Sequence, residues 1–166
     1  MEKNPVIELR NVAVFHSAKP GSSNPKKRGE MVVSGVNLTV CEGEMVYFIG
    51  KVGSGKSSLI KTLYAEVPLV EGEGRIVGFD LRRMKRRDIS RLRRSIGIVF
   101  QDYQLLSDRD VFGNLHYVMK ATGWKNETDM RKRIEEVLSV VGLENKAFKM
   151  PFELSGGCLL YTSDAA

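Results

Sequence analysis

Residues 45–64 read MVYFIGKVGSGKSSLIKTLY, and this stretch decides the fold. Residues 50–57 match the phosphate-loop pattern G-x-x-x-x-G-K-[ST]. The apolar residues 45–49 in front of the loop predict a strand, and residues 56–66, which lack Gly and Pro, predict a helix. A strand, a glycine-rich turn and a helix in this order are typical of a site for nucleotide phosphates, because loop amides and a helix N-terminus both favour anions.

The residue types in this loop suit the chemistry of a phosphate site. Glycines let successive backbone N–H groups turn toward a phosphate without a Cβ in the way. We expect Lys56 to reach the β- and γ-phosphates of ATP and the Ser57 hydroxyl to ligate Mg²⁺. The residues predicted to contact the nucleotide here are Gly50, Gly53, Ser54, Gly55, Lys56, Ser57 and Ser58.

The charge of the chain raises the question of an anionic partner, since its 166 residues carry a formal charge of +6. Much of the excess lies in residues 81–94, LRRMKRRDISRLRR, which could be a solvated helical face, a nucleic-acid site or a site for an anionic membrane surface. No aromatic residue interrupts the run, which argues against a single-stranded nucleic acid as the partner. Cys41 and Cys158 are too few and too far apart for a disulfide framework, so a reducing cytoplasm fits the composition.

Strand and helix patterns alternate along the rest of the chain, which predicts an α/β fold. The further predicted strands are 6–15, 36–40, 75–77 and 96–100, the predicted helices are 111–122 and 127–141, and residues 16–30 predict a loop. The apolar run 96–100 is of the kind that is buried in parallel sheets. In the last helix, Met130, Ile134 and Leu138 lie on one apolar stripe.

The phosphate loop alone does not choose between kinases, GTPases and transport-type ATPases. A phosphate-loop enzyme needs a carboxylate near the end of a neighbouring strand to manage Mg²⁺. Asp80 and Asp102 are the two candidates, and Asp102 has the longer apolar strand in front of it. A soluble kinase or other NTPase that uses Asp102 is therefore one alternative, and a module that binds nucleic acid or lipid through its basic run is another.

Two further motifs follow the loop: IGIVFQ at residues 96–101 and LSGG at residues 154–157. With these motifs in this order, residues 6–157 resemble the ATP-binding cassette family. The resemblance implies one ATP-binding domain over residues 1–157, with three layers, a mainly parallel core sheet and additional N-terminal antiparallel strands. It implies that Gln101 lies near the γ-phosphate and Mg²⁺, and that Phe15 stacks on adenine. Ser155, Gly156 and Gly157 would contact the ATP held by the opposite subunit of a homodimer.

Within that family the chain resembles the bacterial cell-division type, on residues 47–66, 96–115 and 120–127. This narrower resemblance implies a polytopic inner-membrane protein as the partner and a peripheral location on the cytoplasmic face of the inner membrane. It also implies that the residues after Gln101 meet a helix of that partner. Lipoprotein-export and macrolide-export cassettes are close relatives and remain alternatives.

The resemblance stops after Gly157. A family member continues with an apolar strand that ends in Asp-Glu and with a later switch histidine, and neither His16 nor His116 occupies that position. Cys158 stands where a glutamine or glutamate is usual, and we expect residues 158–166 to be a non-native tail on a C-terminally incomplete domain. A chain without the water-positioning carboxylate is expected to bind ATP and not to hydrolyse it.

Overall fold

The structure, a computed structural model, describes residues 4–16 and 29–165, with side chains as far as Ser163. The chain divides into two compact units, Met1–Ile96 and Gly97–Ala166. Most of the loop predicted at residues 16–30 lies outside the described residues.

The first unit contains an antiparallel sheet of four strands in the order β2-β1-β3-β4. The strands are β1 (Pro5–His16), β2 (Glu30–Cys41), β3 (Glu71–Ile76) and β4 (Phe79–Asp80). β1 lies between β2 and β3. Its Leu9 is opposite Leu38 of β2 on one side and opposite Gly74 of β3 on the other. The N-terminal antiparallel strands are therefore confirmed, and β2 begins six residues before its predicted start at residue 36.

Two helices pack in this unit, α1 (Lys56–Leu63) and α2 (Arg86–Arg94). α1 begins at the predicted residue and ends three residues earlier than predicted, with Leu59 and Leu63 buried. α2 buries Leu92, and its N-terminus is capped where Lys85 N–H donates to Asp88 Oδ2 at 3.0 Å. The core is formed by Leu9, Val12, Val14, Leu59, Leu63, Leu69, Ile76, Leu81 and Leu92.

The strands predicted at residues 45–49 and 96–100 are not formed. Neither segment pairs with another strand in the part of the chain that the structure describes. Met45 and Ile49 are 79% and 92% exposed, although an apolar run was expected to be buried. The reason is that a strand is stable only when its backbone groups bond to a neighbouring strand, which an apolar pattern cannot supply alone. The parallel part of the predicted sheet thus has no strand pair within the described ranges.

The second unit is helical, with α3 (Val111–Thr122), α4 (Glu127–Val140) and α5 (Gly156–Ala165). Its core is formed by Val111, Leu115, Ile134, Leu138 and Leu143. The predicted bounds of α3 are confirmed, and α4 ends one residue earlier than predicted. Both helices begin at side-chain caps, since Asp110 accepts from Gly113 N–H and Asn126 accepts from Thr128 N–H. Over the described residues, no helix combines the length and apolar character needed to cross a membrane.

Candidate nucleotide-binding site

The loop of residues 50–55 turns the chain sharply into α1 and depends on glycine at two positions. Gly53 and Gly55 have φ angles of 82° and 86°, in the left-handed region. Gly55 is the N-cap of α1, and a Cβ built there would lie 3.0 Å from Val32 Cγ1 and 3.2 Å from Val33 Cβ. A side chain at this position would therefore crowd β2 as well as strain the backbone.

Lys56 folds back over this loop. Its ammonium Nζ donates to Gly50 O and Lys51 O, both at 2.8 Å, and to Ser54 Oγ at 3.3 Å. Gly50, Ser54 and Lys56 are thus brought together, and their predicted contact with nucleotide stays a prediction. An ammonium held only by neutral oxygens can exchange them for phosphate oxygens, because a phosphate adds the Coulomb attraction of a full negative charge.

The N-terminus of α1 also suits an anion. No side chain caps it, and no acidic residue lies in its first turn. Ser57 is exposed, so its hydroxyl is accessible to a metal ion, whereas Ser58 is buried and its carbonyl accepts from Thr62 Oγ1 at 3.0 Å. The predicted contact of Ser58 with nucleotide stays a prediction.

The donor set fits Mg²⁺ only as part of a nucleotide complex. Across the described ranges, no group of three or more His, Cys, Asp or Glu side chains could hold a metal ion. A magnesium ion commonly binds through one or two protein oxygens together with substrate phosphates and water. The Ser57 hydroxyl beside a phosphate-binding loop matches that mode, so the residues present fit the group.

Phe15 lies near the end of β1, opposite Met31 of β2. Only 8% of its surface is exposed, as for a side chain of the core. Its predicted stacking on adenine therefore stays a prediction.

Asp80 and Asp102, the two residues whose carboxylates were considered for Mg²⁺, differ in the hydrogen bonds that they already make. Asp80 Oδ1 accepts from Arg82 N–H at 3.0 Å and from Arg83 N–H at 3.3 Å, so this carboxylate closes a turn. Asp102 is exposed, and its carbonyl accepts from Gln104 N–H at 2.7 Å. No donor set for a metal surrounds either of them in the described parts of the chain.

Gln101 lies in the second unit, exposed at the start of a tight turn. The next residues are strained, since Tyr103 and Gln104 have φ angles of 57° and 47°. Ser163 of α5 donates its hydroxyl to Tyr103 O at 3.1 Å, which ties this segment to the helix. Lys56 and Gln101 belong to different units, and their joint role at Mg²⁺ stays a prediction.

The signature residues Ser155, Gly156 and Gly157 lie at the start of α5, and all three are exposed. The helix begins at Gly156, directly after Ser155. Ser155 Oγ accepts from Cys158 N–H at 3.4 Å, in the manner of a weak N-cap. The helix also contains most of residues 158–166, which were predicted as a non-native tail.

Just before the signature, Glu153 closes the preceding turn. It accepts from Lys149 Nζ at 2.9 Å and from Met150 N–H at 2.8 Å. The hydrogen bond from Lys149, followed by that from Met150, lowers the pKa of Glu153. The carboxylate is therefore held ionised in the turn that leads into the signature.

One structural residue near this site was not predicted from the sequence. Asn114, on α3, is only 4% exposed, and its side chain bonds to the segment after Gln101. Its Oδ1 accepts from Leu106 N–H at 2.7 Å, and its Nδ2 donates to the carbonyls of Leu106, Arg109 and Asp110 at 3.0, 3.1 and 3.0 Å. The sequence feature that could have indicated this role is a single amide side chain within the mostly apolar helix pattern VFGNLHYV.

Comparison with known proteins gives a consistent result. The model of the family described as ABC transporter matches residues 33–159. The cell division ATP-binding protein FtsE of Streptococcus pneumoniae (strain D39) is 43% identical over 152 residues, which are 92% of this chain and 61% of that protein. The methionine import ATP-binding protein MetN of Carboxydothermus hydrogenoformans is 39% identical over 133 residues, 80% of this chain and 39% of that protein.

Solved structures agree with these sequence matches. A dimeric ATP-binding cassette in a post-hydrolysis state, bound to ADP and Pi, superposes with a TM-score of 0.76 at 27% identity, over 96% of this chain and 68% of that one. The predicted fold class is thereby confirmed. This chain spans about 61% of the length of the pneumococcal relative.

Proposed function

The chain belongs to the ABC transporter family, and from this premise we propose that it is an ATP-binding part of a subunit that couples ATP binding and hydrolysis to a membrane partner. The observation that carries the proposal is the position of Lys56, whose ammonium lies over the glycine loop at 2.8 Å from two carbonyl oxygens. The exposed N-terminus of α1 beside it provides further donors for phosphate.

ATP binding would use groups that already converge on the loop. The ammonium of Lys56 would exchange the Gly50 and Lys51 carbonyls for β- and γ-phosphate oxygens, while the amides at the start of α1 donate to the phosphates. The Ser57 hydroxyl would hold the magnesium ion, which supplies charge neutralisation between the β- and γ-phosphates.

The second half of the site would come from another copy of the subunit. Ser155, Gly156 and Gly157 are exposed at the N-terminus of α5, where backbone N–H groups favour an anion. In the proposed homodimer they would contact the ATP held by the loop of the partner subunit. Gln101 would respond to the presence of the γ-phosphate. The dimeric cassette bound to ADP and Pi supports this arrangement by similarity.

We propose cell division as the process and the cytoplasmic face of the inner membrane as the location, with a polytopic membrane protein as the partner. The 43% identity to the pneumococcal cell division protein supports this choice. Methionine import is the second candidate, because its ATP-binding protein is 39% identical over 80% of this chain.

Nucleotide binding is tested by calorimetric titration of the chain with Mg-ATP. We expect Lys56→Ala to abolish measurable binding, because the ammonium is the cation that converges on the loop. Lys51→Ala is the matched control, since it removes a charge from the same loop but leaves its backbone carbonyl in place. Equal affinity of the wild-type chain and Lys56→Ala would contradict the proposal.

The process is tested by grafting residues 33–157 of this chain into the pneumococcal division protein and into the methionine import protein. We expect the graft to restore division in a strain that lacks the division protein and not to restore import. Restored import without restored division would favour the second candidate.

A further inference from the structure

The exposed side of α2 consists almost wholly of arginine. Six of its nine residues are exposed, and five of those are arginines, the sixth being Ser90. Leu92 is fully buried and Ile89 is partly buried, so the apolar positions face inward. The arginine face, as we name it, consists of Arg86, Arg87, Arg91, Arg93 and Arg94.

This region concentrates the positive charge of the whole chain. Residues 81–94 hold eight basic residues and one acidic residue, a charge of +7, while the full chain carries +6. All residues outside 81–94 together therefore carry a formal charge of −1. Such an asymmetry attracts an anionic partner to one surface rather than to the molecule at large.

The ion pairs on α2 do not neutralise this surface. Asp88 is the single carboxylate of α2, and its Oδ1 lies 3.9 Å from Arg87 Nε and 4.0 Å from Arg91 Nη1. Those arginine side chains are 79% and 73% exposed, and ion pairs that are exposed to this degree contribute little. Arg86 has no ion pair within the described residues. Arg93 is committed elsewhere, because its Nε donates to Tyr64 O at 3.1 Å.

A groove of about 620 Å³ on the sheet adjoins the turn that leads into α2. Arg82 and Arg83 line it together with two other arginines, Arg10 and Arg75. Three carboxylates line it as well, so its charge is nearly balanced. The helix rather than the groove is therefore the element that attracts an anion.

We propose that the arginine face binds the headgroups of an anionic phospholipid bilayer. No aromatic side chain lies within residues 81–94 to stack on bases, which favours a lipid surface over a single-stranded nucleic acid. No apolar side chain is exposed on α2, so the contact is electrostatic and without insertion. The choice of a bilayer rests in part on the proposed function, which places the protein beside a membrane.

The strength of this contact follows from the number of arginines that reach the surface. Each basic residue near an anionic bilayer strengthens binding by about fivefold, so Arg86, Arg87 and Arg91 together strengthen it by roughly 100-fold. Because the charges remain hydrated, the binding is expected to weaken steeply once the Debye length falls to about 3 Å at 1 M salt.

The test is cosedimentation of the 166-residue chain with vesicles of phosphatidylcholine mixed with phosphatidylglycerol, against vesicles of phosphatidylcholine alone. The variant Arg86→Gln/Arg87→Gln/Arg91→Gln removes three charges with little loss of helix propensity. The control Lys125→Gln/Lys132→Gln/Lys146→Gln removes three exposed charges from the second unit, so both variants have the same net charge.

We expect the wild-type chain and the lysine control to bind the anionic vesicles, and the arginine variant to bind roughly 100-fold more weakly. An arginine-to-lysine triple variant at the same positions keeps the charge and is expected to bind like wild type, which tests the proposal even if the glutamine variant does not fold. Equal loss in both glutamine variants would overturn the proposal, as would wild-type binding to RNA oligonucleotides but not to vesicles. The affinity of the same chain for ATP is measured in parallel, so that a failure of the proposed nucleotide site can be told apart from a failure of the proposed lipid contact.

Discussion

Replacement of Asn114 by alanine tests whether one buried amide holds the segment that follows Gln101. The side chain makes four hydrogen bonds to the backbone of residues 106–110. Asp110 O also accepts from Asn114 N–H at 3.0 Å, so that carbonyl keeps a partner in the variant. All four side-chain bonds are lost, but only three backbone groups lose a partner that Asn114 N–H does not replace: Leu106 N–H and the carbonyls of Leu106 and Arg109.

The expected loss of stability follows from this count. A typical intramolecular hydrogen bond contributes about 1 kcal/mol net, so Asn114→Ala is expected to lower the free energy of unfolding by about 3 kcal/mol. For a chain of this length such a change lowers Tm by roughly 6–12 °C. The effect should be strongest at Leu106, whose N–H loses its acceptor at 2.7 Å.

The assay combines urea unfolding with amide hydrogen exchange. Faster exchange at the Leu106 amide is the local signature, because a bond to Asn114 Oδ1 protects that amide in the wild-type chain. Asn145→Ala is the control, since Asn145 is an exposed amide of the same unit. If Asn114→Ala changed stability no more than Asn145→Ala and left exchange at Leu106 unaltered, the assignment of Asn114 as the support of this segment would be wrong.

Two further predictions concern stability. Gly72→Ala is expected to cost more than about 2 kcal/mol, because φ is 85° and the new Cβ would lie 2.4 Å from Asn11 O; thermal unfolding measures it. The hydrogen bond from Lys120, and then that from His116, lowers the pKa of Glu127. A lowered folded pKa adds stability above the unfolded value near 4.5 and loses it as pH falls through the folded value. The wild-type chain should therefore exceed Glu127→Gln in stability at neutral pH, and a pH series of urea unfolding should show the difference vanish in acid.

Matched variants separate these effects from general ones. Gly43 has a φ of 75° but open space around its Cβ position, so Gly43→Ala measures the backbone strain alone. A Gly72→Ala variant as stable as Gly43→Ala would show that β1 can move away from the new methyl group. Glu135→Gln, which removes an exposed carboxylate from the same helix, is the control for the loss of a charge on α4. A stability difference for Glu127→Gln that persists in acid would refute the electrostatic cause.

Local patterns predicted what depends on neighbours in sequence. The predicted bounds of α3 agree with the structure because Asp110 caps its start and Gly123 adopts a φ of 105° at its end. The phosphate loop was predicted from its glycines, whose left-handed angles at Gly53 and Gly55 are a property of a few consecutive residues.

The sequence by itself determined the loop that leads into α1, the apolar stripe of α4 and the order of motifs that indicates the family. The tertiary contacts were needed to show that residues 45–49 and 96–100 have no strand partner among the described residues, that Asn114 bonds to the backbone of residues 106–110, and that five arginines share one side of α2. The physical reason is the separation along the chain of the residues that each interaction joins. Caps, glycine turns and helix periodicity act within a few residues, whereas strand pairing, buried amide bonds and a shared surface depend on which distant segments meet.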